Sequence, residues 1–304
     1  MKSAKVFIVI LNFNSFLDTK ECLQSLQSLD YDNYEIVVVD NCSVDDSFKE
    51  LKIQFPEYKM MKTNKNIGYA NGNNIGIKYA MDKGSEYVCV LNNDVVVEKD
   101  FLSKIIKVME SQPQVGIAGP CICKYSDRNI IQAMGGNINL FTGLTQGIHK
   151  GNKYSKLRPE NTEVAYLGGA CFVAKSEVFN NIGFIPENYF LFFEETEFCL
   201  KAARAGYKLL CIYESKIYHK GSSTIAKYNG LSYYFLNRNR VVFMRRNANV
   251  FQKSVFFIYI FIEAGGRIII RREPFALIKN IIHGFTANKN KIDIESINHF
   301  ISKS

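Results

Sequence analysis

Several patterns are missing from this 304-residue sequence, and each absence removes a class of function. There is no CxxC pair. The eight cysteines lie scattered in apolar or amphipathic segments, and although Cys121 and Cys123 share one face of an extended segment, no second pair follows at the spacing of a zinc site. Reduced thiols are the expectation. No apolar run approaches a membrane span, since the longest in the C-terminal third, Val255 to Ile262, is less than half of the roughly 20 residues required. The basic start Met1-Lys2-Ser3-Ala4-Lys5 leads into an apolar stretch too short for a signal peptide, which reads instead as a first strand. No GxGxxG follows Leu11, which argues against a dinucleotide oxidoreductase. Internal repeats and low-complexity linkers are also lacking.

What is present is an ordinary apolar content and a segregated charge. The net charge is +9, yet residues 201–304 hold 18 Lys and Arg against 5 Asp and Glu, which leaves the first 200 residues at about −4. In that basic third, Phe256, Phe257, Ile260 and Phe261 lie near Arg245, Arg246, Lys253, Arg267, Arg271 and Arg272. Such a mixture suits either an interfacial helix drawn to anionic lipid or a segment closing the core or an oligomer interface. No recognition motif accompanies the charge to suggest nucleic acid.

Along the chain, strand and helix patterns alternate. Val6 to Leu11 reads as a strand, and Asp18 with Glu21 forms a capping-box-like start for a helix carrying Leu23, Leu26 and Leu29. Strands are expected at 35–39, 59–63 and 87–91, separated by helices at 45–55 and 74–83. A short strand at 95–97, a helix at 101–111 and an extended 115–118 follow. Glycines mark loops or a hairpin between 121 and 164. Beyond them come a strand at 169–174, a helix at 195–205 and a strand at 208–212. This order predicts a mainly parallel α/β sheet covered by helices.

Open α/β sheets bind ligands beyond the carboxyl ends of their strands. Asp94 follows the apolar strand Tyr87-Val88-Cys89-Val90-Leu91, and Asp40 ends another, so both are expected at one crevice. Asp40 equally suits an Asx-turn in Asp40-Asn41-Cys42-Ser43. The loop from Asn64 to Asn74 is either an Asn/Gly turn or a place where backbone approaches a nucleotide. Phe192-Phe193-Glu194-Glu195-Thr196-Glu197 delivers three acids to a helix start, as dipole complement or as a general base. His219, placed just past a strand, is a structural histidine or a metal ligand beside Asp94.

Taken in order, Val9-Ile10-Leu11-Asn12-Phe13-Asn14, Val38-Val39-Asp40-Asn41-Cys42-Ser43, Asn66-Ile67-Gly68-Tyr69-Ala70, Leu91-Asn92-Asn93-Asp94, Glu194-Glu195-Thr196-Glu197 and His219-Lys220-Gly221 resemble the family 2 inverting glycosyltransferases of the GT-A fold, particularly their rhamnosyltransferase-like branch. The resemblance runs from about residue 5 to 245. It implies a catalytic domain over 1–245 and a helical, basic and apolar extension over 246–304. Asn12, Asn14, Asp40, Asn66, Gly68, Asn93 and Asp94 would contact the nucleotide sugar. Asp94 corresponds to the last Asp of the DxD-type motif holding Mg²⁺ or Mn²⁺, and Asn92 stands where many members have the first. His219 is then a candidate second ligand. Glu195 takes the catalytic-base position, with Glu194 as its substitute.

The implied reaction moves a sugar from a nucleoside diphosphate sugar to an acceptor hydroxyl in polysaccharide or glycolipid synthesis. A single displacement inverts the anomeric centre and needs one carboxylate, unlike the pair in glycoside hydrolases. The expected enzyme is cytoplasmic and acts on a glycan or lipid-linked acceptor; its C-terminal third either contacts the cytoplasmic face of the membrane or closes the core or an oligomer interface, and oligomerisation is left open. The alternatives are a sugar-phosphate nucleotidyltransferase, disfavoured because Asn12-Phe13-Asn14-Ser15 has neither glycine nor Lys/Arg, and a noncatalytic sugar-nucleotide-binding protein, disfavoured by the presence of Asp94 with Glu194 and Glu195.

Overall fold

The computed structural model describes residues 3–221, 229–295 and 297. Ser222 and Ser223, after His219, lie outside the described residues, as do residue 296 and residues 298–304 of the C-terminal extension. The elements run β1 (Val6–Asn12), α1 (Phe16–Leu26), β2 (Tyr34–Asp40), α2 (Ser47–Gln54), β3 (Lys59–Lys62), α3 (Gly68–Asp82), β4 (Tyr87–Asn92), β5 (Val95–Val97) and α4 (Phe101–Ser111). They continue with β6 (Val115–Lys124), β7 (Ile131–Ala133), β8 (Gly136–Asn139), β9 (Leu144–Gly147), β10 (Thr162–Glu163), β11 (Cys171–Lys175), α5 (Ser176–Ile182), α6 (Glu194–Arg204) and β12 (Lys208–His219). Three helices follow: α7 (Asn229–Asn247), α8 (Val250–Arg271) and α9 (Ala276–Thr286).

The main sheet has the order β10-β12-β6-β11-β4-β1-β2-β3, with β5 added to β12 and β7 to β6. Strands β3, β2, β1 and β4 pair in parallel, as do β6 and β12, while β11 lies antiparallel between β4 and β6. Because both faces are covered, the central strands are continuous apolar runs rather than alternating ones. Val6, Ile8 and Ile10 face a core shared with Leu23, Leu26 and Leu102, whereas Phe7 and Val9 face one shared with Ile77, Phe179 and Phe198. A third core joins Val241, Phe243, Phe256, Ile260, Leu277 and Ile281 of the three last helices. No helix among the described residues is long and apolar enough to cross a membrane.

Four expectations need correction. Asp18 does not start α1; the helix begins at Phe16, and Asp18 accepts hydrogen bonds from Ser15 Oγ at 3.0 Å and Lys220 Nζ at 2.7 Å, so it sits in the first turn without capping. Leu29 falls beyond the end of that helix. Helix α3 starts at Gly68, six residues earlier than expected at Asn74, because its glycines let it pack tightly on β1: a Cβ on Gly72 would come within 2.4 Å of Leu11 Cδ1, and one on Gly76 within 2.4 Å of Val9 Cγ1. Tertiary packing thus overrides poor helix propensity. Finally, β6 and β12 extend well past the expected 118 and 212, with a register shift between Ile212 and Lys216, so His219 is the last residue of a strand rather than beyond one.

Candidate active site

The register of β5 explains the first pair of site residues. β5 runs antiparallel to the end of β12 and sets Val95 opposite His219, while the Lys220 amide donates to the Asp94 carbonyl at 3.0 Å. Asp94, in the turn between β4 and β5, is thereby brought against His219, with Asp94 Oδ1 3.2 Å from His219 Nε2. Both atoms are buried and neither makes a hydrogen bond. The other ring nitrogen, Nδ1, lies 2.8 Å from the Gln132 side-chain amide, which fixes the ring. An unbonded carboxylate oxygen facing an unbonded imidazole nitrogen is a donor set that fits a divalent cation. Among the described residues there is no cluster of three or more His, Cys, Asp or Glu able to hold a metal, so the remaining positions would come from ligand oxygens and water.

A chain of polar side chains links the expected nucleotide-binding residues beneath this pair. Asp40 Oδ2 accepts from Asn12 Nδ2 at 2.7 Å, Asn12 Oδ1 accepts from Thr19 Oγ1 at 2.8 Å, and Thr19 Oγ1 accepts from Asn93 Nδ2 at 2.8 Å. The other Asp40 oxygen accepts the Ser43 amide at 2.9 Å, the Asx-type turn considered from the sequence. Asp40 is therefore engaged on both oxygens. Asn14, at φ 48°, accepts from the Val44 amide through Oδ1 at 2.9 Å. A neighbouring group holds the next loop: Asn41 donates to Asn66 Oδ1 at 2.8 Å, and Asn66 Oδ1 also accepts the Gly68 amide at 3.0 Å. Gly68, at φ 81°, lies so close to Phe190 that a Cβ there would come within 2.7 Å of its carbonyl. Thr19 had no signal in the sequence; its role follows only from α1 packing against the strand ends.

The acidic cluster is delivered by a strained loop. Phe190, Phe192 and Phe193 all have positive φ, at 73°, 69° and 78°, a conformation costly for bulky side chains and held only by surrounding structure. Two contacts hold it. The Tyr69 amide donates to the Phe190 carbonyl at 2.9 Å, and the buried Asn239 amide of α7 donates to the carbonyls of Tyr189 at 3.0 Å, Leu191 at 2.7 Å and Phe192 at 3.2 Å. Asn239, 44 residues downstream of Glu195, carries no motif that could have marked it.

The three glutamates differ in surroundings. Glu194 is fully buried and neither carboxyl oxygen has a hydrogen-bond partner; burial first, then the adjacent Glu195 charge, push its carboxyl well above the usual range. Glu195 is partly accessible and lies beside Gly169, where a Cβ would come within 3.3 Å of Oε1 and 3.2 Å of Tyr69 Oη. Burial raises its carboxyl too, while its own amide and that of Gly169 pull it part of the way back. Gly169 precedes Ala170, whose carbonyl accepts the Asn92 amide at 2.9 Å, so Glu195 stands at the strand ends that carry Asp94. Glu197 turns away from both. It is gripped by Arg246 through two 2.8 Å bonds, by Asn247 at 3.0 Å and by Tyr189, and these contacts outweigh burial to hold its carboxyl at about 2. It orients α6 against α7.

Known proteins resemble this chain in sequence and in fold. The family model "Glycosyl transferase family 2" matches residues 7–183. The chain is 27% identical over 252 residues to the low-salt glycan biosynthesis hexosyltransferase Agl10 of Haloferax volcanii, covering 82% of this chain and 77% of the relative. It is 24% identical over 253 residues to the dTDP-rhamnosyl transferase RfbF of Shigella flexneri, covering 81% of each. Among solved structures, TarS of S. aureus superposes with a TM-score of 0.59 at 17% identity, over 92% of this chain and 80% of that one. A mannosyltransferase from Pyrobaculum calidifontis, solved with GDP-Man and Mn²⁺, gives 0.58 at 14% identity, over 98% and 79%. The fold is the GT-A glycosyltransferase fold.

Proposed function

The chain belongs to glycosyl transferase family 2, and from that premise we propose that it inverts the anomeric centre as it transfers a hexose from a nucleoside diphosphate sugar to an acceptor hydroxyl in glycan synthesis. One observation carries this reading. A facing pair of unbonded donors, Asp94 Oδ1 and His219 Nε2, stands at the same strand ends as a carboxylate of raised pKa, Glu195. The two halves match the two charges that must change in the reaction.

Asp94 and His219 would hold Mg²⁺ or Mn²⁺, and the cation supplies Lewis-acid stabilisation to the leaving diphosphate. The chain's own residues do the rest. Asn12, Asn14, Asp40, Asn66, Gly68 and Asn93 line or brace the nucleotide side, with the Asp40–Asn12–Thr19–Asn93 chain keeping the Asp94 turn in register with β1 and β2. Glu195 accepts the proton of the acceptor hydroxyl as that oxygen bonds to the anomeric carbon and the bond from that carbon to the diphosphate oxygen breaks. A carboxylate whose pKa is raised by burial is a stronger base than an ordinary one. Glu194, fully buried with no hydrogen-bond partner on either carboxyl oxygen, is the poorer candidate for that role. The donor hexose of the Shigella relative, rhamnose, is one candidate for this chain.

The catalytic unit is proposed to span residues 1–245, with 246–304 as an extension. Asn239 of α7 supports tying that helix to the site, since it grips the 189–192 loop. The test is release of nucleoside diphosphate across a panel of UDP-, dTDP- and GDP-sugars with Mn²⁺ or Mg²⁺. Metal-dependent release from at least one donor is expected; none from any would favour a noncatalytic binding protein.

A further inference from the structure

Helix α8 is apolar on both of its faces. One face carries Phe256, Ile260 and Ala264 into the core with α7 and α9. The opposite face carries Phe251, Ile258, Ile262 and Ile269, which are 69%, 63%, 70% and 80% exposed. At 100° per residue these four positions fall within one narrow stripe, about 180° from the buried one. Ile270 and Phe275 extend it around the turn to α9, where Ile282 is also exposed. A helix that is hydrophobic all round is normally enclosed, and a contiguous exposed apolar surface marks a place where something docks.

The charges around the stripe decide what that is. Between Val250 and Lys291 there are only two carboxylates, Glu263 and Glu273. Both are spent internally: Glu263 pairs with Arg240 at 2.6 Å, and Glu273 with Arg267 at 2.7 Å while also accepting from Tyr233. Lys253, Arg271, Arg272 and Lys279 form no ion pair among the described residues and are all exposed. By the same angular count Lys253 and Arg271 lie about 160° from the stripe, toward the buried side, so the cations free to flank it are Arg272 at the end of α8 and Lys279 on α9, in a segment with no free carboxylate. A second copy of the same face would meet it with like charge, whereas anionic lipid complements both features.

We infer that the α8–α9 face lies flat on an anionic membrane surface, with Phe251, Ile258, Ile262 and Ile269 inserted among the acyl chains and Arg272 and Lys279 among the headgroups. The apolar residues differ from those the sequence alone offered, and several of its cations are engaged elsewhere. Phe256 and Ile260 are core, and Arg245, Arg246 and Arg267 are bound to the Gly284 and Ala287 carbonyls, to Glu197 and to Glu273 respectively. The inference rests on the proposed function only in suggesting that the acceptor is presented at a membrane.

Co-sedimentation of the full chain with vesicles, in the absence of donor and acceptor, tests it. Binding to phosphatidylcholine containing phosphatidylglycerol is expected, with little to phosphatidylcholine alone. Ile258→Ser combined with Ile262→Ser, both at exposed positions, should lower partition at least about tenfold, and Arg272→Gln with Lys279→Gln should remove the salt-sensitive part. Asp94→Ala should bind vesicles as the unaltered chain does, which separates this result from any failure of the catalytic reading. The inference is overturned if the unaltered chain ignores anionic vesicles or if the isoleucine variant binds them equally. It is also overturned if the chain is a dimer that this variant dissociates while vesicle binding is unchanged.

Discussion

The side-chain amide of Asn239 holds the main-chain carbonyl of Leu191 at 2.7 Å, and with it a loop of three left-handed aromatic residues that ends at Glu195. The strain of that loop is sustained from a helix more than forty residues away in sequence. Its geometry, not its composition, sets where Glu195, the proposed base, stands.

Replacing Asn239 should therefore act on turnover. Asn239→Ala leaves three carbonyls short of a donor, at a cost of about 1–3 kcal/mol in stability, and lets Glu195 shift. We expect kcat to fall roughly 10- to 100-fold with donor KM nearly unchanged. Asn239→Asp, which keeps the shape but removes the donor, should resemble Asn239→Ala. Steady-state kinetics on folded variants check this; a raised KM with normal kcat would show that the clamp serves binding instead.

For the cation pair, Asp94→Ala should abolish the metal dependence of donor binding and lower transfer by at least about 100-fold. His219→Ala should weaken metal-dependent binding less, because a carboxylate oxygen remains. Calorimetric titration of nucleoside diphosphate with and without Mn²⁺ reads both. Equal titrations for Asp94→Ala and the unaltered chain would remove Asp94 from the metal site.

Glu194 offers a stability test with a definite sign. Burial, then the Glu195 charge, raise its carboxyl well above the ordinary 4.5, so the folded state keeps a proton that the unfolded state releases. Stability linked to this group is fully present below pH 4.5 and declines as pH climbs toward the folded pKa. Glu194→Gln removes that decline. Its melting temperature should gain more at pH 7 than at pH 4.5, with transfer kept within about tenfold of the unaltered rate. A dead Glu194→Gln beside an active Glu195→Gln would exchange the roles of the two acids.

Glu197 has the opposite sign. Its carboxyl is held at about 2 by Arg246, Tyr189 and Asn247 against the effect of burial, so its contribution is present above pH 4.5 and is lost as pH falls toward 2. The shift corresponds to about 3 kcal/mol at neutral pH. Glu197→Gln strands Arg246 beside an uncharged group and should destabilise the chain by about 3–5 kcal/mol at pH 7, with the loss shrinking in acid. Chemical denaturation at two pH values measures it.

Much of this fold was legible because its central strands are buried on both sides. Val6–Leu11, Ile36–Val39 and Tyr87–Leu91 could be little else than parallel strands, and the polar residues at or just past their ends, Asn12, Asp40 and Asp94, mark the proposed ligand edge. Elements governed by long-range packing were not legible. The start of α3 at Gly68 depends on close approach to Leu11 and Val9, and the second half of β12 is hidden by Glu214, Ser215 and Lys216, which interrupt its apolar run at the register shift. In the site, Asp94, His219 and Glu195 could be named from local motifs. Thr19, Gln132 and Asn239 could not, since each acts on residues more than forty positions away or on a side chain that only tertiary structure brings near.

The most direct test of the central claim compares donor binding with transfer in a single preparation of Glu195→Gln. The account predicts donor affinity within about threefold of the unaltered chain and a transfer rate lowered roughly 100- to 10,000-fold. It also predicts that the acid limb of the unaltered chain's pH–rate profile, placed above the ordinary carboxylate range by burial of Glu195, is absent from the residual activity. Near-normal transfer by Glu195→Gln would contradict it.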